Sequence, residues 1–249
     1  MSEYNIIRPD VTNLPQIQTM WGQIFGDSPE EIQRFYQYFY RQDHCLVAKA
    51  GSRIVSMLHS IEYGACAQGR ELKGAYLYAV ATDPSFRGCG LSSALLREHI
   101  QSLKKSGFDF VFLIPETDSL YPFYARFGFR KALKRRLYVP DTSDIPSECC
   151  KDMDKLYERY LYHLASRNTY IKLDFESFAL TVGYRQAALT DDGYVIYTQT
   201  DEGIDVRETM GTLPEWLKDI GKREITGMVL PLSSEFPKNC EFELANLLN

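Results

Sequence analysis

The run Arg87-Gly88-Cys89-Gly90-Leu91-Ser92 stands between a strand-like stretch and a helical one, and Tyr124-Ala125-Arg126-Phe127-Gly128-Phe129 follows further along. A helix that starts near Leu91 leaves its first backbone N–H groups without intrahelical acceptors, and the aligned peptide dipoles add positive potential at that end. Gly88 and Gly90 allow a close approach to phosphate oxygens or a positive φ, both of which a Cβ hinders. Ser92 and Ser93 add hydroxyl donors. A pyrophosphate cradle followed by a phenol that can donate a proton is equipment for acyl transfer from a coenzyme A thioester.

Other phosphate-binding solutions fail on the letters. A Walker loop needs Lys after its second glycine, and none follows here; a dinucleotide fingerprint needs a third glycine where Ser93 stands. The preceding strand also comes after an antiparallel meander, whereas a dinucleotide fold would open with this unit.

On these residues the chain resembles the GNAT family of acetyl-CoA-dependent N-acetyltransferases. The family motif is Arg or Gln, two residues, Gly, one residue, then Gly or Ala; Arg87, Gly90 and Ser92 take those places, Ser92 being a departure to another small residue. The family's later tyrosine, before a Gly-Phe pair, is matched by Tyr124 with Gly128-Phe129. The resemblance covers residues 4–139 and implies an α/β, mixed-sheet GNAT acyl-CoA N-acyltransferase fold.

It also implies acetyl-CoA as cosubstrate, with no metal, and a small-molecule or peptide amine as acceptor. Val80, Ala81 and Thr82 would line the pantetheine, with the Val80 N–H polarising the thioester carbonyl as an oxyanion donor. Arg87, Gly88, Cys89, Gly90, Leu91, Ser92 and Ser93 would hold the phosphates, and Tyr124 would protonate the departing thiolate. The family's glutamate base has no counterpart, since Gly74 stands near its position; Glu116 and Asp118 could serve, and each also reads as a solvated loop carboxylate. Cys89 beside a helix N-terminus invites a thiolate reading, but it occupies a variable position of the turn and is expected to be inert. A non-catalytic acyl-CoA sensor is the alternative from the binding class.

The elements that must position these groups can be read from periodicity. Residues 4–8 suggest a strand, and Leu14, Ile17, Trp21 and Ile24 a helix. Ser28 and Pro29 open a second helix whose buried face would be Ile32, Phe35 and Phe39. Residues 45–49, 53–63 and 71–81 follow as a meander. Leu91, Leu95, Leu96, Ile100 and Leu103 mark the helix after the glycine turn, closed at Gly107; residues 108–115 suit a strand buried on both faces and parallel to its predecessor. The basic run at residues 130–136 reads as a solvated strand edge.

A polar, proline-containing connector at residues 140–148 divides the chain into a GNAT domain, 1–140, and a degenerate GNAT-like domain, 141–249. Past it, Met153, Leu156, Tyr157, Tyr160, Leu161 and Leu164 form one helical stripe and Phe175, Phe178 and Val182 another. Strands are expected at 186–190, 194–200, 204–209 and 225–231, with a short helix at 213–220. The order helix, helix, three strands echoes residues 12–81, and this layout is similar to the double-domain, enhanced-intracellular-survival branch of the family, whose terminal-carboxylate base is not carried over to Asn249.

Composition sets the remaining bounds. With 45% apolar residues the chain can fill a core, and a net charge of −5 argues against a nucleic-acid surface. The six cysteines show no C-x-x-C pair, which leaves no zinc site to expect and fits a reducing cytoplasm. No stretch is long and apolar enough for a membrane span. Many members of the family dimerise, so the resemblance allows a homodimer.

Overall fold

A computed structural model describes residues 4–139, 149–183, 185–200, 203–212, 221–234, 236–237 and 240–244. β1 (Asn5–Ile7) leads into α1 (Leu14–Phe25) and α2 (Pro29–Tyr38). The Ser28 side chain accepts from the Glu31 N–H while the Glu31 carboxylate accepts from the Ser28 N–H, so a capping box fixes where α2 starts. The meander is β2 (Cys45–Ala50), β3 (Arg53–Ala67) and β4 (Arg70–Thr82), antiparallel throughout. Its strands follow period two: Cys45 and Val47 enter the core under α1 and α2, while Leu46 and Ala48 enter the opposite one.

α3 (Leu91–Lys105) covers that opposite face and delivers the chain to β5 (Phe110–Leu113), parallel to β4. α4 (Tyr121–Ala125) and β6 (Arg130–Val139) follow. The later elements are α5 (Met153–Ala165), β7 (Thr169–Lys172), α6 (Phe175–Val182), β8 (Gln186–Leu189), β9 (Tyr194–Thr200), β10 (Gly203–Met210), β11 (Gly221–Pro231) and β12 (Phe242–Leu244).

Among the described residues all the strands join one mixed sheet, in the order β1-β2-β3-β4-β5-β11-β6-β10-β9-β8. β11, from late in the sequence, lies antiparallel between β5 and β6. β7 pairs with the end of β3, β12 pairs with both β7 and β6, and the strands β3, β4, β5, β11, β6, β12 and β7 close into a ring. Stacked rings of Phe110 and Phe242, 5.3 Å apart, pack with Phe236 in the core.

Three expectations are corrected. The basic run is no sheet edge: β6 has β11 on one side and β10 and β12 on the other. Its Arg130, Lys131 and Lys134 are exposed while Ala132 and Leu133 are buried, so the charges mark where β6 meets water. Leu161 and Phe175 lie on the solvent side of their helices, 39% and 43% exposed. β7 and β12 were not anticipated, because each is too short to show a pattern. The connector at 140–148, the short helix at 213–220 and Asn249 lie outside the described residues.

Neighbouring residues of β3 anchor helices on opposite faces through neutral histidines. The Tyr36 hydroxyl of α2 is 2.9 Å from His59 Nε2, and His99 Nε2 of α3 is 2.8 Å from the Ser60 hydroxyl. Burial pushes each imidazole pKa down to about 3. The unfolded chain, with histidines near 6.5, therefore binds more protons between pH 3 and 6.5, so this contribution is complete above pH 6.5 and lost progressively as pH falls toward 3. Between pH 7 and 5 the loss is roughly 2 kcal/mol per histidine. Guanidinium midpoints measured across that range will fall steeply, and a His99→Gln variant will show a shallower fall.

Candidate functional site

β4 and β5 pair only over residues 74–76 and 110–112. Beyond Tyr76 the strands part, and a cleft of about 750 Å³ opens between them. Its walls include Trp21, Phe35 and Phe39 from the helical layer, residues 76–80 of β4, Leu113 at the end of β5 with residues 114–116 after it, Tyr124 of α4, and Ile225 and Thr226 of β11.

The cleft wall of β4 contains a bulge. Pairing with β3 jumps from Met57–Ala81 to His59–Tyr78, so Ala79 and Val80 lack cross-strand partners in the register. Ala79 takes φ +48, a left-handed conformation that costs a residue with a Cβ roughly 1–3 kcal/mol unless its surroundings hold it. Nothing in the alternation of side chains betrays such an irregularity, and sequence reasoning named Val80 only through the resemblance.

From Val80 the strand runs through Ala81 and Thr82 into the glycine turn. The Thr82 hydroxyl is 2.8 Å from that of Ser56 and 2.6 Å from that of Ser92, tying the strand end to the first turn of α3. Arg87 Nε donates to the Thr82 carbonyl at 3.3 Å. Gly88 and Gly90 both have φ +79, and a Cβ built on either would meet no protein atom within 4 Å. The first intrahelical bond is from the Ala94 N–H to the Gly90 carbonyl, so the N–H groups of Leu91, Ser92 and Ser93 have no acceptor of that kind. Leu91 is buried and pins the helix start; Ser92 and Ser93 are half-buried, while Arg87 and Cys89 are exposed. A 15-residue helix that opens on two left-handed glycines and clear space fits a pyrophosphate.

Tyr124 is 7% exposed and packs edge-on against Phe123 and Phe129. Burial, with a smaller push from Glu116, raises its pKa to about 12, so the phenol keeps its proton at neutral pH. The neighbouring Tyr121 hydroxyl donates to the Thr226 carbonyl, which fastens α4 to β11. Thus Val80 and Tyr124 share the cleft, and the cradle residues continue from it along β4 and α3. Glu116 and Asp118 also line it, both exposed. Residues not singled out for chemistry in the sequence supply the remaining polar groups: Asp27, which accepts from the Trp21 indole N–H at 2.7 Å, with Glu31, Arg34 and Lys131.

Gly74 sits at the narrow end of the splay. A Cβ there would lie 2.4 Å from Cζ of the buried Phe110 ring, which explains why no carboxylate side chain can be supplied from this position. Gly74→Ala should cost about 1–3 kcal/mol through overpacking, read as a lower denaturant midpoint with an unchanged slope.

A family model described as an acetyltransferase (GNAT) domain matches residues 5–132. Among solved structures, a GCN5-related N-acetyltransferase from Kribbella flavida is similar, with a TM-score of 0.71 at 17% identity over 91% of this chain and 70% of that one. Another GCN5-related N-acetyltransferase, from Anabaena variabilis, gives 0.71 at 15% over 93% and 73%. Eis1 from Mycobacterium abscessus gives 0.66 at 13% over 93% and 74%. At these identities the likeness is one of fold. No curated protein matches the sequence.

Proposed function

The chain belongs to the GNAT acetyltransferase family, and from that premise we propose that it moves an acetyl group from acetyl-CoA to a primary amine of a small molecule or peptide by direct attack. The observation that carries this reading is the course of one strand: β4 presents Val80 to the cleft that Tyr124 lines, then ends at the open N-terminus of α3.

In this reading the α3 N–H groups and Gly88 to Ser93 hold the pyrophosphate, and Ala81 and Thr82 bond the pantetheine. The neutral amine forms its C–N bond to the thioester carbonyl while the Val80 N–H stabilises the developing oxyanion. The C–S bond breaks as Tyr124 donates its proton to the departing sulfur. The nitrogen's surplus proton leaves through Glu116 or Asp118, directly or by water. The division of the sequence at residue 140 is kept as a second, GNAT-like unit of the double-domain kind. Its support is the order α5, α6, β8, β9 and β10, which echoes the start of the chain apart from the short β7 between the two helices, together with the likeness to Eis1.

Calorimetric titration with acetyl-CoA, followed by CoA release in the presence of a panel of primary amines, tests the reading. Binding with turnover supports it. Absence of binding to folded protein overturns it. Binding without turnover for any amine favours the acyl-CoA sensor, a reading with its own observation behind it: the Phe110 ring leaves no room for a side chain at Gly74, near the position of the family's usual glutamate base.

A further inference from the structure

The β4 bulge needs something to hold it, since Ala79 is not a glycine and the ladder gives it no partner. His59 lies on β3 at the bulge, opposite Tyr78, and is 1% exposed. Its ring is boxed by Trp21 at 5.3 Å and Phe35 at 5.4 Å, two residues that also line the cleft. Tyr36 takes Nε2 at 2.9 Å. With the tyrosine hydroxyl as donor, the neutral imidazole carries its hydrogen on Nδ1. Nδ1 is buried and has no hydrogen-bond partner among the described residues, and the ladder sets His59 at the bulge, opposite Tyr78 and next to the unpaired Ala79. A buried N–H without a full bond, next to a strained peptide that needs an anchor, accounts for both irregularities at once.

Resting on the acetyltransferase reading, we propose that His59 is a positioning residue: braced by Tyr36, its imidazole holds the Ala79 backbone in its left-handed conformation and so aims the Val80 N–H at the thioester carbonyl. His59 touches no substrate. It keeps an oxyanion donor in place before the carbonyl arrives, which is where such a donor gains most.

The test compares acetyl-CoA with CoA, which lacks the carbonyl. Wild type should bind acetyl-CoA more tightly than CoA. His59→Leu, which removes both ring nitrogens, should abolish that preference, leave CoA affinity within about twofold, and lower kcat by about 10- to 100-fold with little change in the amine KM. His59→Asn retains a donor near the place of Nδ1 and should recover most of the loss. A role confined to packing would instead weaken both nucleotides together and would not respond to Asn. Wild-type preference and kcat in a folded His59→Leu protein overturn the proposal. Should that variant not fold, Tyr36→Phe removes the brace while keeping the ring, and it must show the same loss of preference in smaller measure. If wild type binds neither nucleotide, the acetyltransferase reading fails by itself; the hold on the bulge is then decided by the amide resonances of Ala79 and Val80, which must shift in His59→Leu and return toward wild type in His59→Asn.

Discussion

Tyr124→Phe lowers kcat for acetyl transfer about 10²- to 10⁴-fold, the range of a lost general acid, while acetyl-CoA affinity stays within a factor of a few. The split follows from what the substitution removes. Phenylalanine keeps the ring that packs against Phe123 at 5.0 Å and Phe129 at 5.9 Å, so the buried wall of the cleft survives. What goes is a hydroxyl whose pKa burial has raised to about 12, a group that holds its proton through the working range and so stands ready as a donor, not as a base. The departing sulfur gathers negative charge in the transition state and is neutralised by that proton, whereas the bound thioester carries no such charge. The loss therefore falls on the chemical step. A pH profile separates acid from base: with Tyr124 as acid, wild-type kcat shows no rising limb from this residue between pH 6 and 9. A Tyr124→Phe enzyme with wild-type kcat would remove the residue from the chemistry.

Gly90→Glu abolishes acetyl-CoA binding through two separable effects. The backbone at Gly90 has φ +79, which any other residue adopts at a cost of roughly 1–2 kcal/mol, and the helix start relaxes to avoid it. The carboxylate then stands where the pyrophosphate charge must come; two unit charges 4 Å apart near a protein surface repel by about 4 kcal/mol, or near a thousandfold in affinity. Gly90→Ala isolates the first effect, because its Cβ meets no protein atom within 4 Å. Calorimetry should therefore rank wild type, Ala and Glu in that order, with the gap from Ala to Glu narrowing as salt screens the charge. Equal affinity in all three would place the phosphates elsewhere.

What could be read from the sequence was what depends on local rules. The capping box of α2, the hairpins of the meander and the left-handed glycines before α3 are written in short-range residue types, and each stands where those types put it. Tyr124 was named from a motif and Val80 from the family resemblance, and the cleft that both line comes from strands that part after residue 76. What was illegible is long-range. The pairing of β11 with β5 and β6 joins segments far apart in sequence, so the charges of β6 were read as an edge when they sit beside two further strands. The bulge at Ala79 was hidden for another reason: side-chain alternation carries no sign of one extra residue, and alanine carries no sign of a positive φ. His59 could be seen only as a histidine within a strand, until the helix that brings Tyr36 to it was in place.

The seat of β11 also sets an order of events during synthesis. A ribosome extrudes β5 and β6 well before β11, so for that interval the nascent chain carries two open strand edges, and its cleft lacks Ile225 and Thr226. Tyr121 has no Thr226 carbonyl to hold until then, and α4 with Tyr124 waits on the same strand. The cleft is thus completed late, when β11 slots home between β5 and β6. Until that moment the chain is a half-closed sheet, of the kind that draws chaperones or aggregates.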